Sequence, residues 1–454
     1  MERLALFLLL SSTILQAQYN VTGKMNPAID SDWLILYTIE GARQLFVNNT
    51  TMKIDSVYIN GKKSAIATFT FILPEDTKPG AFRATYRTEG AAFVDFFFNK
   101  EDVSFVFNPD YPNETVTFSA SRENKIYQEY LNTASPLQQS MDSLQVVSLK
   151  DPNANVNALY QQKKIKLDSI HKNYVTQSKG MYVEPFIKAT LRKNSTSVFS
   201  RVDDYMNHMK STFFDGIDFT NKNLINSSFL TDRMLDYIFY LNYSENQRVQ
   251  QELYRNATKE VLAKITDLSY RQNIIEFLTD QFQVARNVEM VDHLLNDYYK
   301  KLPQQFQDQK FIEEKLTSLA TEIGRIAPNF SWQENGKRID LKSLADADQY
   351  VLVFYSTTCS HCLREIPQLH AYMQSKPNVK VIAFALENDR IGWDSYIGTL
   401  PGWHHVLGLE KWQNKTARTY QVNAAPSYFV LNKDKKIIAK PDAINDVKAF
   451  FNKN

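Results

Sequence analysis

At 454 residues the chain is too long for one compact core and has room for about two to four domains of ~100–200 residues each. Charged residues make up 22% and hydrophobic residues 43%, which excludes both a disordered polyelectrolyte and a multispanning membrane protein. Lys+Arg 52 against Asp+Glu 50 leaves a formal +2 with no basic stripe, so nucleic acid has no electrostatic footing as a partner.

Residues 1–17, MERLALFLLLSSTILQA, read as a secretory leader: Arg3, an apolar run Leu4–Leu10, and a small-residue close at Ala17. The run is well short of the ~20 residues that span a bilayer, and no later stretch reaches that length. The expected location is therefore the periplasm, as an exported soluble chain. No cysteine stands at the cleavage position to carry a lipid anchor.

From about Val21 to Phe118 the apolar pattern has period two. Phe82, Ala84 and Tyr86 alternate with Arg83, Thr85 and Arg87, and Ala67, Phe69 and Phe71 alternate with Thr68 and Thr70. Asn60-Gly61 predicts a tight turn joining Met52–Ile59 to Ala65–Phe71. Further strands are predicted at Trp33–Ile39, Ala92–Phe98, Val103–Phe107 and Thr115–Phe118. Together they predict an antiparallel β sandwich over 18–118.

Around Ser119 the period becomes helical, and the 13 glycines of the chain, well under the usual ~7%, are scarcest from there to mid-chain. Stripes at Met234, Leu235, Ile238 and Phe239, at Ile274, Leu278 and Phe282, at Val291, Leu294, Leu295 and Tyr298, and at Ile312, Leu316, Leu319 and Ile323 predict buried helix faces. A helical bundle is expected over 119–323, with a loop near Phe214–Leu230. Gly324-Arg325-Ile326-Ala327-Pro328 stops the helical pattern. Beyond it a strand at Tyr350–Tyr355, a helix at Ile366–Gln374, a strand at Val379–Leu386, and a hairpin of Ser427–Leu431 with Lys436–Lys440 predict a mixed sheet covered by helices over 324–454.

The only two cysteines are Cys359 and Cys362, in one Cys-x-x-Cys after an apolar strand. A structural zinc site needs a second pair of ligands, and none has the spacing; His370, His404 and His405 lack such company. The thiols are read instead as chemical groups. A helix starting at or just before Cys359, with Thr357 or Thr358 as N-cap, would place that thiol at the positive end of the macrodipole and lower its pKa. Cys362, one turn on, could then close an internal disulfide.

Residues 324–454 resemble a thioredoxin fold, and specifically the periplasmic TlpA/ResA group of thiol–disulfide oxidoreductases. The resemblance rests on Cys359-Ser360-His361-Cys362, on Pro367 in the following helix, on Ala327-Pro328-Asn329-Phe330 as the entry motif, and on Ala425-Pro426 as the cis-proline loop. It implies Cys359 as nucleophile, Cys362 as resolving thiol, and Ala425 and Pro426 as the surface that binds the extended substrate chain. Glu365 matches the acid this group uses to relay a proton for Cys362, where thioredoxin itself has an aspartate at the position of Val353. An ordinary helix glutamate paired with lysine or arginine is the competing reading. His361 inside the dithiol loop would stabilise a thiolate and favour an oxidant, whereas Glu365 and the resemblance favour a reductase. The implied partners are client proteins with disulfides and a membrane electron donor for re-reduction, with no bound cofactor or metal. Two other functions stay open at this stage: an envelope binding protein whose redox domain is regulatory, and a peroxiredoxin-like peroxidase, which Leu352 in place of the expected proline disfavours.

Overall fold

A computed structural model describes residues 18–59, 62–87 and 92–453. The leader-like segment and the Asn60-Gly61 turn lie outside the described residues. The chain divides into two compact units, residues 18–277 and 278–453, with the division inside the Leu268–Val284 helix.

Among the described residues of the first unit, nine strands build two sheets. They are β1 (Gln18–Met25), β2 (Trp33–Glu40), β3 (Arg43–Thr51), β4 (Lys53–Ile59), β5 (Lys62–Pro74), β6 (Gly80–Thr85), β7 (Phe93–Phe98), β8 (Val103–Phe107) and β9 (Thr117–Ala120). One sheet has the order β4-β5-β1-β8-β9 and the other β3-β2-β6-β7. Alternate residues of both, such as Val21, Phe69, Phe71 and Phe105 from one and Leu34, Leu36, Phe82 and Phe96 from the other, share a single apolar core. β4 and β5 pair antiparallel with Ile59 opposite Lys62, as the flanking alternation required.

Two details differ from the sequence reading. β1 pairs parallel with β8, so the sheet is not wholly antiparallel. Alternation reports which face a residue occupies but not which strand lies beside it, and the long connection between β1 and β8 lets the chain return in the same direction. Thr115 closes a short helix, Pro112–Thr115, so β9 starts two residues later than its alternation suggested.

Helices follow from Arg122, the longest being Arg122–Lys150, Asn157–Gln177, Gln247–Lys264 and Leu268–Val284. The segment expected as a loop holds the short helix Lys222–Ile225, capped by the Asn221 side chain. Ile274, Leu278, Phe282, Val291, Leu294 and Leu295 are buried as their spacing predicts. Leu316 and Ile323 depart from that reading, at 41% and 55% exposed. The helix Gln309–Ser318 stops before Ile323, so the stripe has no helical face there to continue it.

The second unit is organised by the sheet order β14-β13-β12-β15-β16. A separate hairpin of β10 (Ser331–Glu334) and β11 (Lys337–Asp340) precedes β12 (Gln349–Tyr355), β13 (Val379–Leu386), β14 (His404–Gly408), β15 (Ser427–Asn432) and β16 (Ile437–Ala439). β12, β13 and β14 run parallel, while β15 and β16 are antiparallel to their neighbours. β12 is buried on both faces: Val351, Val353 and Tyr355 join one core, Tyr350, Leu352 and Phe354 the other. Helices Ser360–Met373 and Ile444–Lys453 cover the first face through Cys362, Ile366, Leu369 and Met373 and through Ile444, Val447 and Phe451. The hairpin, β14 and the last helix were not resolved by pattern alone.

Gly23 stands opposite Phe69 in the β1–β5 ladder, and a Cβ there would lie 2.0 Å from the ring. Gly23→Ala is expected to destabilise the first unit by about 1–3 kcal/mol through overpacking, read as a lower midpoint in thermal unfolding. An unchanged midpoint would show that the ring has room to give.

Candidate active site

The site forms where β12 ends and the Ser360–Met373 helix begins, at the carboxyl ends of parallel strands where open sheets of this kind bind ligands. Register along the helix separates the two thiols. Cys362 falls on the stripe with Ile366, Leu369 and Met373, at spacings of three and four residues, and is fully buried. Cys359, one turn earlier, is the N-cap itself and stays partly exposed. Its sulfur accepts from the Cys362 N–H at 3.3 Å. This corrects the expectation of a threonine cap: the sulfur does the capping, which places it among the unpaired N–H groups of the first turn.

That geometry sets the electrostatics. Burial alone would raise the Cys359 thiol, but hydrogen bonds from the Cys362 side chain and from the Cys362 and His361 N–H groups, with the charge of Arg364, hold it below the ordinary thiol value. Burial drives Cys362 the other way, and the hydrogen bond it gives to Cys359 adds to the effect, so its thiol is pushed up to about 12. One sulfur is therefore shifted toward thiolate and its neighbour toward thiol.

Across the site, the Ala425–Pro426 peptide is cis, and the Cys359 thiol lies 3.5 Å from the Ala425 carbonyl oxygen. The expected substrate loop therefore reaches the nucleophile through the Ala425 carbonyl. Glu365 is half-buried, and among the described residues it pairs with no lysine or arginine. Its Oε2 accepts from the Tyr428 hydroxyl at 2.8 Å and from the Ile444 N–H at 3.2 Å. The His361 imidazole is turned toward Glu365, with Nδ1 3.8 Å from Oε1, and only its backbone N–H serves Cys359. The share of His361 in tuning the nucleophile thus comes from its main chain. Pro367 sits within the helix.

Two functional neighbours escaped the sequence reading. Tyr428 packs in the same core as Cys362 and pairs with Val353 across the β12–β15 ladder. Burial, then the Glu365 hydrogen bond, raises its phenol well above the usual value. Its sequence signal is slight: it stands two residues after Pro426, at the second position of β15. Glu387 follows the last residue of β13 and is 4% exposed. Its carboxylate accepts from Thr357 N–H at 2.5 Å, Thr357 Oγ1 at 2.9 Å and Ser356 Oγ at 3.3 Å, and so shapes the turn into Cys359. An acid closing an apolar parallel strand is the mark that could have pointed to it.

The other histidines are engaged elsewhere. His404 lies 2.9 Å from both Glu334 and Asp346, His405 3.0 Å from the Leu400 carbonyl, and His370 3.1 Å from that of Pro401. Among the described residues no group of three or more His, Cys, Asp or Glu is placed to hold a metal ion.

Comparison with known proteins places the chain in a class, that of thioredoxin-like thiol–disulfide oxidoreductases. The family described as Redoxin matches residues 322–448. The thiol-disulfide oxidoreductase ResA of Bacillus cereus is 30% identical over 122 residues, which cover 26% of this chain and 69% of that protein. The chain belongs to this ResA-like family of thiol–disulfide oxidoreductases. Among solved structures, a domain described as a "possible thiol-disulfide isomerase" from Cytophaga hutchinsonii is 27% identical, covering 29% of this chain and 91% of its own, with a TM-score of 0.26. A thiol-disulfide oxidoreductase from Bacteroides fragilis is 20% identical, covering 28% and 98%, with a TM-score of 0.26.

Glu387→Ala leaves three buried or half-buried donors without their acceptor. It is expected to destabilise the protein by about 2–3 kcal/mol in denaturant unfolding, against about 1 kcal/mol for Thr357→Val. Equal unfolding midpoints for Glu387→Ala and the unsubstituted protein would remove Glu387 from the support of the site.

Proposed function

We propose that the protein is an exported, periplasmic enzyme that reduces disulfides in client proteins with its Cys359–Cys362 dithiol. The single observation that carries the reading is the division of labour between the sulfurs: one partly exposed and held toward thiolate at a helix cap, the other buried and pushed up to about 12.

In the first step the Cys359 thiolate attacks one sulfur of a client disulfide. The client S–S bond breaks as the Cys359–client bond forms, and the departing client thiolate takes a proton from solvent. In the second step Cys362 loses its proton and attacks the Cys359 sulfur. The mixed disulfide breaks, the internal disulfide forms, and the second client thiolate leaves. Two electrons pass from the dithiol to the client.

Cys362 cannot attack as a thiol, so this second step needs a base. Glu365 is the candidate acceptor, held in place by Tyr428 and the Ile444 N–H. Ala425 and Pro426 would lie along the extended client chain beside Cys359. The turn of His361 toward Glu365 supports a reductase over an oxidant, because the imidazole is not committed to stabilising the Cys359 thiolate. A membrane-bound donor would return two electrons and two protons to the internal disulfide. Export rests on the leader-like composition of residues 1–17 and on the confinement of both cysteines to one redox pair. Among the described residues no helix is long and apolar enough to cross a membrane.

Cys362→Ala is expected to accumulate mixed disulfides with envelope proteins that a reductant dissolves, and Cys359→Ala to form none. Glu365→Gln should slow release of the mixed disulfide by about tenfold or more at neutral pH while leaving the first attack unchanged. Adducts formed equally by both cysteine variants would contradict the assignment, and a Glu365→Gln enzyme that resolves at the normal rate would remove the relay.

A further inference from the structure

In the first unit, well away in sequence from the dithiol, a cavity of about 510 Å³ opens between the β7 edge of one sheet and the helices Arg122–Lys150, Glu184–Thr190 and Phe229–Leu235. Its volume falls in the range that takes an amino-acid-sized or drug-sized ligand. Four rings form much of its wall. Phe97 lies 5.3 Å from Tyr127 and 4.6 Å from Phe186, and Phe186 lies 5.8 Å from Phe229.

Two carboxylates face the same space, Asp95 from β7 and Asp232 from the Phe229–Leu235 helix. Asp95 is already neutralised by a bidentate pair with Arg83, with both contacts at 2.7 Å. Asp232 is different: the charges acting on it are those of Asp95 and Asp236, both negative, and Arg83, and its hydrogen-bond partner is the neutral Ser228. Its carboxyl is open to water at the cavity wall yet surrounded by protein, and this desolvation raises its pKa above the usual value. With Arg83 paired to Asp95 and the charge of Arg233 acting on Asp236, the carboxylate left to be compensated is that of Asp232, beside a set of aromatic rings.

We propose that this cavity binds an organic cation, an ammonium or guanidinium group on an apolar stem, with the stem among Phe97, Tyr127, Phe186 and Phe229 and the charge against Asp232. The chemistry discriminates on both sides. A neutral apolar ligand would bury the Asp232 carboxylate without compensating it, and an anion would meet a charge of its own sign. A cation gains the ion pair and also the negative faces of the rings, which attract it more strongly where water is partly excluded. The shared group occurs both in free aryl- and alkylamines and in lysine or arginine side chains of an extended polypeptide.

The test uses the full chain in isothermal titration with 2-phenylethylammonium and with its neutral analogue 2-phenylethanol. The ammonium is expected to bind about tenfold or more tightly, and Asp232→Asn to bring the two ligands to equal affinity. An N-acetylated Phe-Lys-Phe amide is the third arm: tighter binding than the free amine assigns the site to a polypeptide, and weaker binding assigns it to a small amine. Equal affinity of the unsubstituted protein for the ammonium and the alcohol, or no binding of the ammonium or the peptide at millimolar concentration, overturns the proposal. The dithiol takes no part in these titrations, so their failure leaves the redox reading untouched.

Discussion

The start of a single helix decides what the two sulfurs can do. A helix begins with N–H groups that have no partner in the helix itself, and here a sulfur occupies the position that usually carries a hydroxyl or carboxylate oxygen. The same backbone geometry places the second cysteine one turn later, on the stripe with Ile366, Leu369 and Met373 that packs against the sheet. Exposure and a lowered thiol pKa at Cys359, and burial and a raised thiol pKa at Cys362, are therefore two consequences of one helical register. A one-residue shift of that register would remove both.

The rest of the second unit holds this helix start in place and furnishes it with partners from distant parts of the chain. Glu387, at the end of β13, binds the turn before Cys359. The Ala425–Pro426 loop, leading into β15, brings a carbonyl to the nucleophile. Tyr428, two residues further along β15, and the first residue of the last helix, Ile444, fix the Glu365 carboxylate. All of these converge because β12 is central in the sheet, with β13 and β15 on either side. The cysteine helix leaves from the end of β12, so whatever terminates the neighbouring strands lies beside it.

Much of this was legible in the sequence where the signal is local. The apolar run of β12, the dithiol, the helix after it and Pro426 ahead of a strand each fall within a few residues. The same is true of the period-two alternation that sorted Phe69, Phe71 and Phe82 into a sandwich core. What depends on pairing was not legible. Alternation could not reveal that β1 lies parallel to β8, and nothing near Glu365 announces Tyr428, whose place is set by register with Val353. His361 shows a subtler limit: its position in the loop is evident, but whether its ring faces the thiolate or Glu365 depends on a side-chain torsion that spacing does not encode. Ile323 was misread because a stripe at helical spacing continues on paper past the residue where the helix stops.

The division between the two thiols can be observed directly by following thiolate ultraviolet absorbance against pH in the reduced protein. Two well-separated steps are expected, the first below the ordinary thiol value of about 8.5 and lost in Cys359→Ala, the second near 12 and lost in Cys362→Ala. A single transition at the ordinary value, insensitive to which cysteine is replaced, would contradict the account of how this helix start prepares the dithiol.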